Sequence, residues 1–158
     1  LFRSENRGAS SSDRNRWRYR LRFGVTANLL DDFEVGMRLA SGNPNAAFGG
    51  NPLSANTDMG DGASRKFVWI DTAYAKWTPI HGADWLTSVT IGKMDNTLAL
   101  SPMLFDPDYQ PEGLALQVRH NFNEDHALKL SGVLWVLDEL NQGAAASRDP
   151  YLFGAQLV

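Results

Sequence analysis

An all-β, antiparallel up-and-down meander forming part of a transmembrane outer-membrane β-barrel is the fold this sequence predicts. Three observations carry it. Residues 16–28 alternate almost without a break, with Trp17, Tyr19, Leu21, Phe23, Val25 and Ala27 on one side. Arg16, Arg18, Arg20, Arg22, Gly24, Thr26 and Asn28 fall on the other, because successive side chains of a strand point to opposite faces. Alternating segments of roughly 10 to 12 residues recur, longer than the ~5–6 usual in globular sheets and matched to a tilted bilayer crossing. The connections between them run short, long, short, long, short, long, the rhythm of tight turns on one rim and extended loops on the other.

The first strand, 16–28, ends at the polar-tipped turn Leu29-Leu30-Asp31-Asp32. The second, 33–40, sets Phe33, Val35, Met37 and Leu39 on the apolar face and Glu34 and Arg38 on the polar one. Pairing Asn28 with Glu34 and Gly24 with Arg38 keeps like faces together and avoids placing Arg22 directly opposite Arg38, where like charges would repel. Residues 41–64 turn to Gly, Asn, Pro, Ser, Ala and Asp, which is loop chemistry. A third strand spans 67–78. Keeping Asp71 out of lipid puts Trp69, Asp71, Ala73 and Ala75 on its polar face and Val68, Ile70, Thr72 and Tyr74 on the apolar one. Lys76 then faces outward, at a rim where its stem can snorkel, unless a bulge re-aims it.

After the turn at 79–84 a fourth strand, 85–94, carries Trp85, Thr87, Val89 and Ile91 on its apolar face, with Lys93 sharing their parity. The second long connection, 95–112, contains Pro102, Pro107 and Pro111. The fifth strand, 113–122, sets Leu114, Leu116, Val118, His120 and Phe122 against Ala115, Gln117, Arg119 and Asn121. A turn at 123–126 leads to the sixth strand, 127–137, and a third long connection, 138–150, to a seventh that starts at Tyr151. Trp17, Tyr19, Tyr74, Trp77, Trp85 and Tyr151 suit aromatic girdles near strand ends. No helix and no internal repeat are written here.

Composition narrows the class. Hydrophobic residues make up 43% of the chain, mean hydropathy is -0.32, and no stretch approaches the ~20 apolar residues of a membrane helix. Barrel strands dilute their apolar residues with polar ones, so this agrees with the predicted fold. A formal net charge of -3 gives no support for a nucleic-acid partner. There is no cysteine, which fits a periplasmic or outer-membrane setting. Leu1-Phe2-Arg3-Ser4-Glu5 lacks the apolar core of a signal peptide, and residues 151–158 resemble an unfinished strand. The sequence therefore reads as one partial barrel, six strands and a truncated seventh, cut from a longer protein whose signal peptide, first strand and later strands lie outside it.

No active site is written in the chain. His81, His120 and His126 stand apart without metal-ligand spacing. Neither a nucleophile elbow nor a phosphate loop nor a dinucleotide fingerprint occurs. Asp106-Pro107-Asp108 and Asp58-Met59-Gly60-Asp61-Gly62 offer hard oxygens but too few fixed ligands for calcium. We expect no enzyme, no cofactor and no metal.

The chemistry lies instead in charge. Arg16, Arg18, Arg20 and Arg22 repeat about every 6.8 Å along one face of a strand. Beside water they would form a positive stripe that attracts anions; alternatively they pair with carboxylates on neighbouring strands and stiffen the wall. Glu34, Arg38, Asp71, Gln117 and Arg119 share the polar face in this reading. The second long connection carries Asp95, Asp106, Asp108 and Glu112 with no basic residue.

The segments Asp13-Arg14-Asn15-Arg16-Trp17-Arg18-Tyr19-Arg20-Leu21-Arg22-Phe23-Gly24, Asp31-Asp32-Phe33-Glu34-Val35-Gly36 and Ile70-Asp71-Thr72-Ala73-Tyr74-Ala75-Lys76-Trp77 resemble a family of porins from Gram-negative outer membranes. Gly92-Lys93-Met94 and the stretch from Phe105-Asp106-Pro107-Asp108 to Pro111-Glu112-Gly113-Leu114 are similar too. The resemblance implies a many-stranded barrel in the bacterial outer membrane through which small hydrophilic solutes or ions diffuse. Membrane lipid and lipopolysaccharide would surround it, with a homotrimer as the candidate assembly. It further makes the acidic loop 95–112 the candidate for a segment that folds inward and narrows the channel opposite the arginines; an ordinary acidic surface loop is the alternative. Two other readings stand beside it: a soluble β-sandwich that binds carbohydrate through its aromatics, and a barrel sheathing an electron-carrying partner.

Overall fold

A computed structural model describes residues 2–5, 14–43, 50–60, 62, 64–103, 105–139 and 149–158, with side chains from Trp17 onward. The described residues form ten strands and no helix. In chain order these are β1 (Phe2–Glu5), β2 (Arg14–Arg20), β3 (Arg22–Asn28), β4 (Phe33–Ser41), β5 (Asn56–Asp58), β6 (Val68–His81), β7 (Trp85–Lys93), β8 (Glu112–Asn121), β9 (Ala127–Val136) and β10 (Tyr151–Leu157). One seven-stranded sheet runs β10-β9-β8-β7-β6-β4-β3 and a three-stranded sheet runs β1-β2-β5. The all-β antiparallel meander predicted from the sequence is the observed architecture. Chain contacts divide into two units, Leu1–Phe23 with Arg38–Ile70, and Gly24–Met37 with Asp71–Val158.

The second unit holds β7 to β10 whole, and its register sorts residues into rows. Ile91, Leu114, Leu134 and Phe153 face one another across four successive strands, and Thr87, Val118, Leu130 and Leu157 form a second such row. Between these rows, on the opposite face, stand Ser88, Gln117, Ser131 and Gln156. The apolar rows are open: Ile91 is 59% exposed and Phe153 74%. The polar row is covered, with Ser88 at 5% and Ser131 at 2%. A water-soluble sheet buries its apolar face. This one is inverted.

Tight turns close the short connections. Asp31 and Asp32 both have left-handed φ, 59° and 63°, a conformation hairpin turns require and Asp tolerates. Leu29 N–H donates to Phe33 O at 2.7 Å in the second unit, and Ser41 N–H donates to Leu21 O at 2.9 Å in the first. Both bonds have the register predicted for the first hairpin. At the start and finish of the second long connection, Gly92 (φ 115°) and Gly113 (φ 145°) oppose each other. A Cβ on Gly92 would strike the Ala73 carbonyl oxygen, and one on Gly113 that of Leu134, so only glycine lets the strands approach there.

Three expectations are corrected. The strand predicted at 16–28 is interrupted at Leu21, so that β2 and β3 enter different sheets. The buried Ser41 hydroxyl accepts from Leu21 N–H at 2.9 Å and donates to Ala55 O at 2.8 Å, which diverts the Leu21 N–H from a ladder. A short strand, β5, lies inside the segment read as loop and pairs with β2.

The faces of β6 are the third correction. Thr72 and Tyr74 do not lie on the apolar face: Thr72 is 2% exposed, and the Tyr74 hydroxyl donates to Glu34 Oε1 at 2.8 Å. Lys76 opposes the buried Thr90 and so shares the polar face, while Ala73 and Ala75 take the other parity. Asp71 and Thr72 are both buried, and from Thr72 to Lys76 the even-numbered residues take the polar side, so a parity read outward from Asp71 fails beyond it. A register shift between Trp77 and Ile80 then restores Ile80 to the side of Thr87.

Replacing Ser41 by Ala leaves the Leu21 N–H and the Ala55 carbonyl without their partner. The expected cost is about 1–3 kcal/mol, that of an unsatisfied buried polar group. Urea titration of the folded protein in lipid or detergent reads this directly; an unchanged midpoint would mean the hydroxyl is not the pin.

Candidate functional site

The polar face of the second unit is built by parity. Along β7, β8, β9 and β10 every second residue lines it, which brings Gln117 and Arg119 to the same side as Lys129, Ser131 and Gln156. Arg119 opposes Lys129 across the strands, and Arg119 is exposed, so this end of the face is basic. In the neighbouring strands Glu34, Tyr74 and Lys76 join it, the first two through their hydrogen bond. The Tyr74 ring lies over Gly36, whose missing side chain provides the room: a Cβ there would stand 2.6 Å from the ring.

The second long connection folds onto this face. Gln117 Nε2 donates to Thr97 O at 3.2 Å. Gln156 grips Ala99 twice, accepting from its N–H at 2.7 Å and donating to its carbonyl at 2.9 Å, so the side-chain amide acts as a short strand partner. Beside these bonds Trp135, 3% exposed, packs with Met94, Ala115 and Val133, and the loop side chains Leu98, Phe105 and Tyr109 close over them. The Phe105 and Tyr109 rings each lie 6.0 Å from the Trp135 ring and meet each other edge-on at 5.2 Å. This is the one buried apolar cluster among the described residues, and it sits on the polar face beneath the loop. Such aromatic pairs contribute about 0.5–1.5 kcal/mol each beyond their area.

The four candidate acids of that connection have different places. Asp95 and Asp106 are exposed and Asp108 is half-buried. Asp106 Oδ1 accepts from Asp108 N–H at 2.9 Å, the turn chemistry of an Asx motif. Glu112 belongs to β8 instead, where Lys93 Nζ donates to it at 2.9 Å and to Gln110 O at 3.1 Å. That pair clamps the stem of the loop.

In the first unit, Arg18 Nε lies 3.2 Å from Asp58 Oδ1 and Arg20 Nε donates to Asn56 Oδ1 at 3.3 Å. Two of the ladder arginines thus bond β5, which the sequence reading had treated as loop. Arg22 and Arg38 are half-buried, and Asp71 is buried. The side chain of Arg16 lies outside the described residues, as do Asp61 and residues 140–148. Gln156 and Trp135 were not singled out from sequence, and Tyr74 was assigned to the apolar face and its aromatic girdle. Parity alone marks Gln156, which stands opposite to Tyr151, Phe153 and Leu157 on its strand.

An antiparallel meander with an open apolar face, a covered polar face and strands of 9 to 14 residues from β6 to β9 is consistent with a segment of a β-barrel wall. No helix of the described residues is long and apolar enough to cross a membrane, which says nothing of strands. The chain belongs to the family described as Putative porin, whose model matches residues 6–158. Membership indicates a membrane-embedded channel barrel in place of an enzyme. No curated protein and no solved structure matches the chain.

Replacing Gln156 by Ala should free the Ala99 amide. Its hydrogen exchange should accelerate about fivefold, the equivalent of the ~1 kcal/mol net worth of one such bond. Unchanged protection at Ala99 would show that the aromatic cluster alone holds the loop.

Proposed function

We propose that the protein is part of an outer-membrane porin of a Gram-negative bacterium, passing small hydrophilic solutes or ions by passive diffusion with a lean toward anions. The observation that carries this reading is the second long connection lying on the polar face, held there by wall side chains. A loop so placed would narrow a water-filled lumen while the apolar rows meet lipid. No cofactor and no chemical step are needed.

Charge gives the lean. Arg18, Arg20, Arg22, Arg38, Arg119 and Lys129 would face the aqueous side, and fixed positive charge raises the local concentration of anions. Arg18 is paired with Asp58, which reduces its contribution. Asp95, Asp106 and Asp108 on the loop would set negative charge against Arg119 and Lys129 of the same unit and supply a transverse field. Lipopolysaccharide and membrane lipid would surround the barrel, and a homotrimer is the assembly proposed.

Planar-bilayer recording of the full-length protein tests this. Ion-conducting steps are expected, with a reversal potential in a KCl gradient on the anion side. Gln at Arg20, Arg22 and Arg119 together should move that potential toward cations while conductance persists. An unmoved potential would make these arginines structural, and absence of conductance would remove the porin reading.

A further inference from the structure

The first unit holds a cavity that the channel reading does not use. Its volume is about 400 Å³, within the range of small-molecule sites. Three of its described lining residues, Arg18, Arg65 and Lys66, are cations and one, Asp58, is an anion. Asp58 is matched by Arg18 at 3.2 Å. Lys66 Nζ donates to the neutral Gly60 carbonyl at 3.2 Å, which leaves its charge uncompensated by that bond. The cavity therefore carries an excess of two positive charges from its own described walls.

Those walls are hydrogen-bonded in place. Asn51 turns the loop by accepting Leu53 N–H on its side chain at 2.9 Å and Ser54 N–H on its carbonyl at 3.1 Å. Ser54 Oγ accepts from both Asn56 N–H and Asn56 Nδ2. The β5 strand is paired to β2, and Met59 N–H extends the pairing by donating to Trp17 O at 2.9 Å. Thr57, also lining the cavity, is 9% exposed, and its hydroxyl has no hydrogen-bond partner among the described residues. That hydroxyl is shielded from the cavity, so the groups open to a ligand are the cations and side-chain amides of the wall. Phe67 adds an apolar wall.

We propose that this cavity binds a small polyhydroxylated anion, a sugar acid or a sugar phosphate. Arg65 and Lys66 would hold the charged group, while the asparagine amides of the wall would meet hydroxyls. Charge excess selects the anion; the amide wall selects a ligand that also carries hydroxyl groups. A bare inorganic ion would leave most of 400 Å³ to water. The site does not depend on the channel reading, since it lies wholly within the first unit.

Calorimetric titration of the full-length protein in detergent is the test, with gluconate, glucose 6-phosphate and uncharged sorbitol as probes. Saturable binding of either anion, at least tenfold tighter than sorbitol and weakening with added salt, is expected. The double variant Arg65→Gln, Lys66→Gln should lose tenfold or more of that affinity. Equal affinity for sorbitol and the anions, or full affinity in the double variant, overturns the proposal. KCl conductance of the same preparations separates the two readings: a conducting protein that binds neither anion refutes this site alone, and a binding protein that never conducts refutes the porin alone.

Discussion

Everything in this chain follows from a sheet that must meet two solvents. A strand gives its neighbours in sequence opposite faces, so one two-residue period can serve lipid on one side and water on the other. The rows through Ile91 and Leu114, and through Ser88 and Gln117, are that division written across four strands. Backbone groups are satisfied between strands, as they must be where no water can reach them. An ordinary core is unnecessary for such a sheet. The small apolar cluster around Trp135 consequently has another task, docking a loop.

That docking shows how the wall and its cover are built from one another. Gly92 and Gly113 allow the close strand approach from which the connection departs, and the Lys93–Glu112 pair holds its stem. Gln117 and Gln156 belong to one row of the polar face, so a single register fixes both loop contacts. Slipping that register by one residue would turn both glutamines to the apolar side and release the loop. Loop position and strand pairing are therefore coupled.

Much of this was legible in the sequence because period two needs no long-range information. The parity of residues 33–37 and of 113–121, and the places of the turns at 29–32 and 123–126, follow from alternation and turn chemistry alone, whereas the turn read at 79–84 is shortened because β6 runs on to His81. Residues 68–81 were harder. Asp71 was the natural anchor for parity, yet Thr72 beside it is more deeply buried, and no local signal tells which of two adjacent polar residues sets the parity of the strand. The break at Leu21 was hidden for a similar reason: it depends on Ser41, twenty residues away, offering its hydroxyl to a backbone amide. The arginine ladder announced a charged face but not its partners, because Asn56 and Asp58 lie in a segment whose composition reads as loop.

Site-directed spin labelling along 112–121, in lipid bilayers, tests the two-solvent account most directly. Accessibility to oxygen, which partitions into lipid, should peak at Leu114, Leu116 and Val118. Accessibility to a polar nickel reagent should peak in the opposite phase, at Gln117 and Arg119. Two profiles that rise and fall together, or polar-reagent maxima at Leu114 and Leu116, would contradict the account.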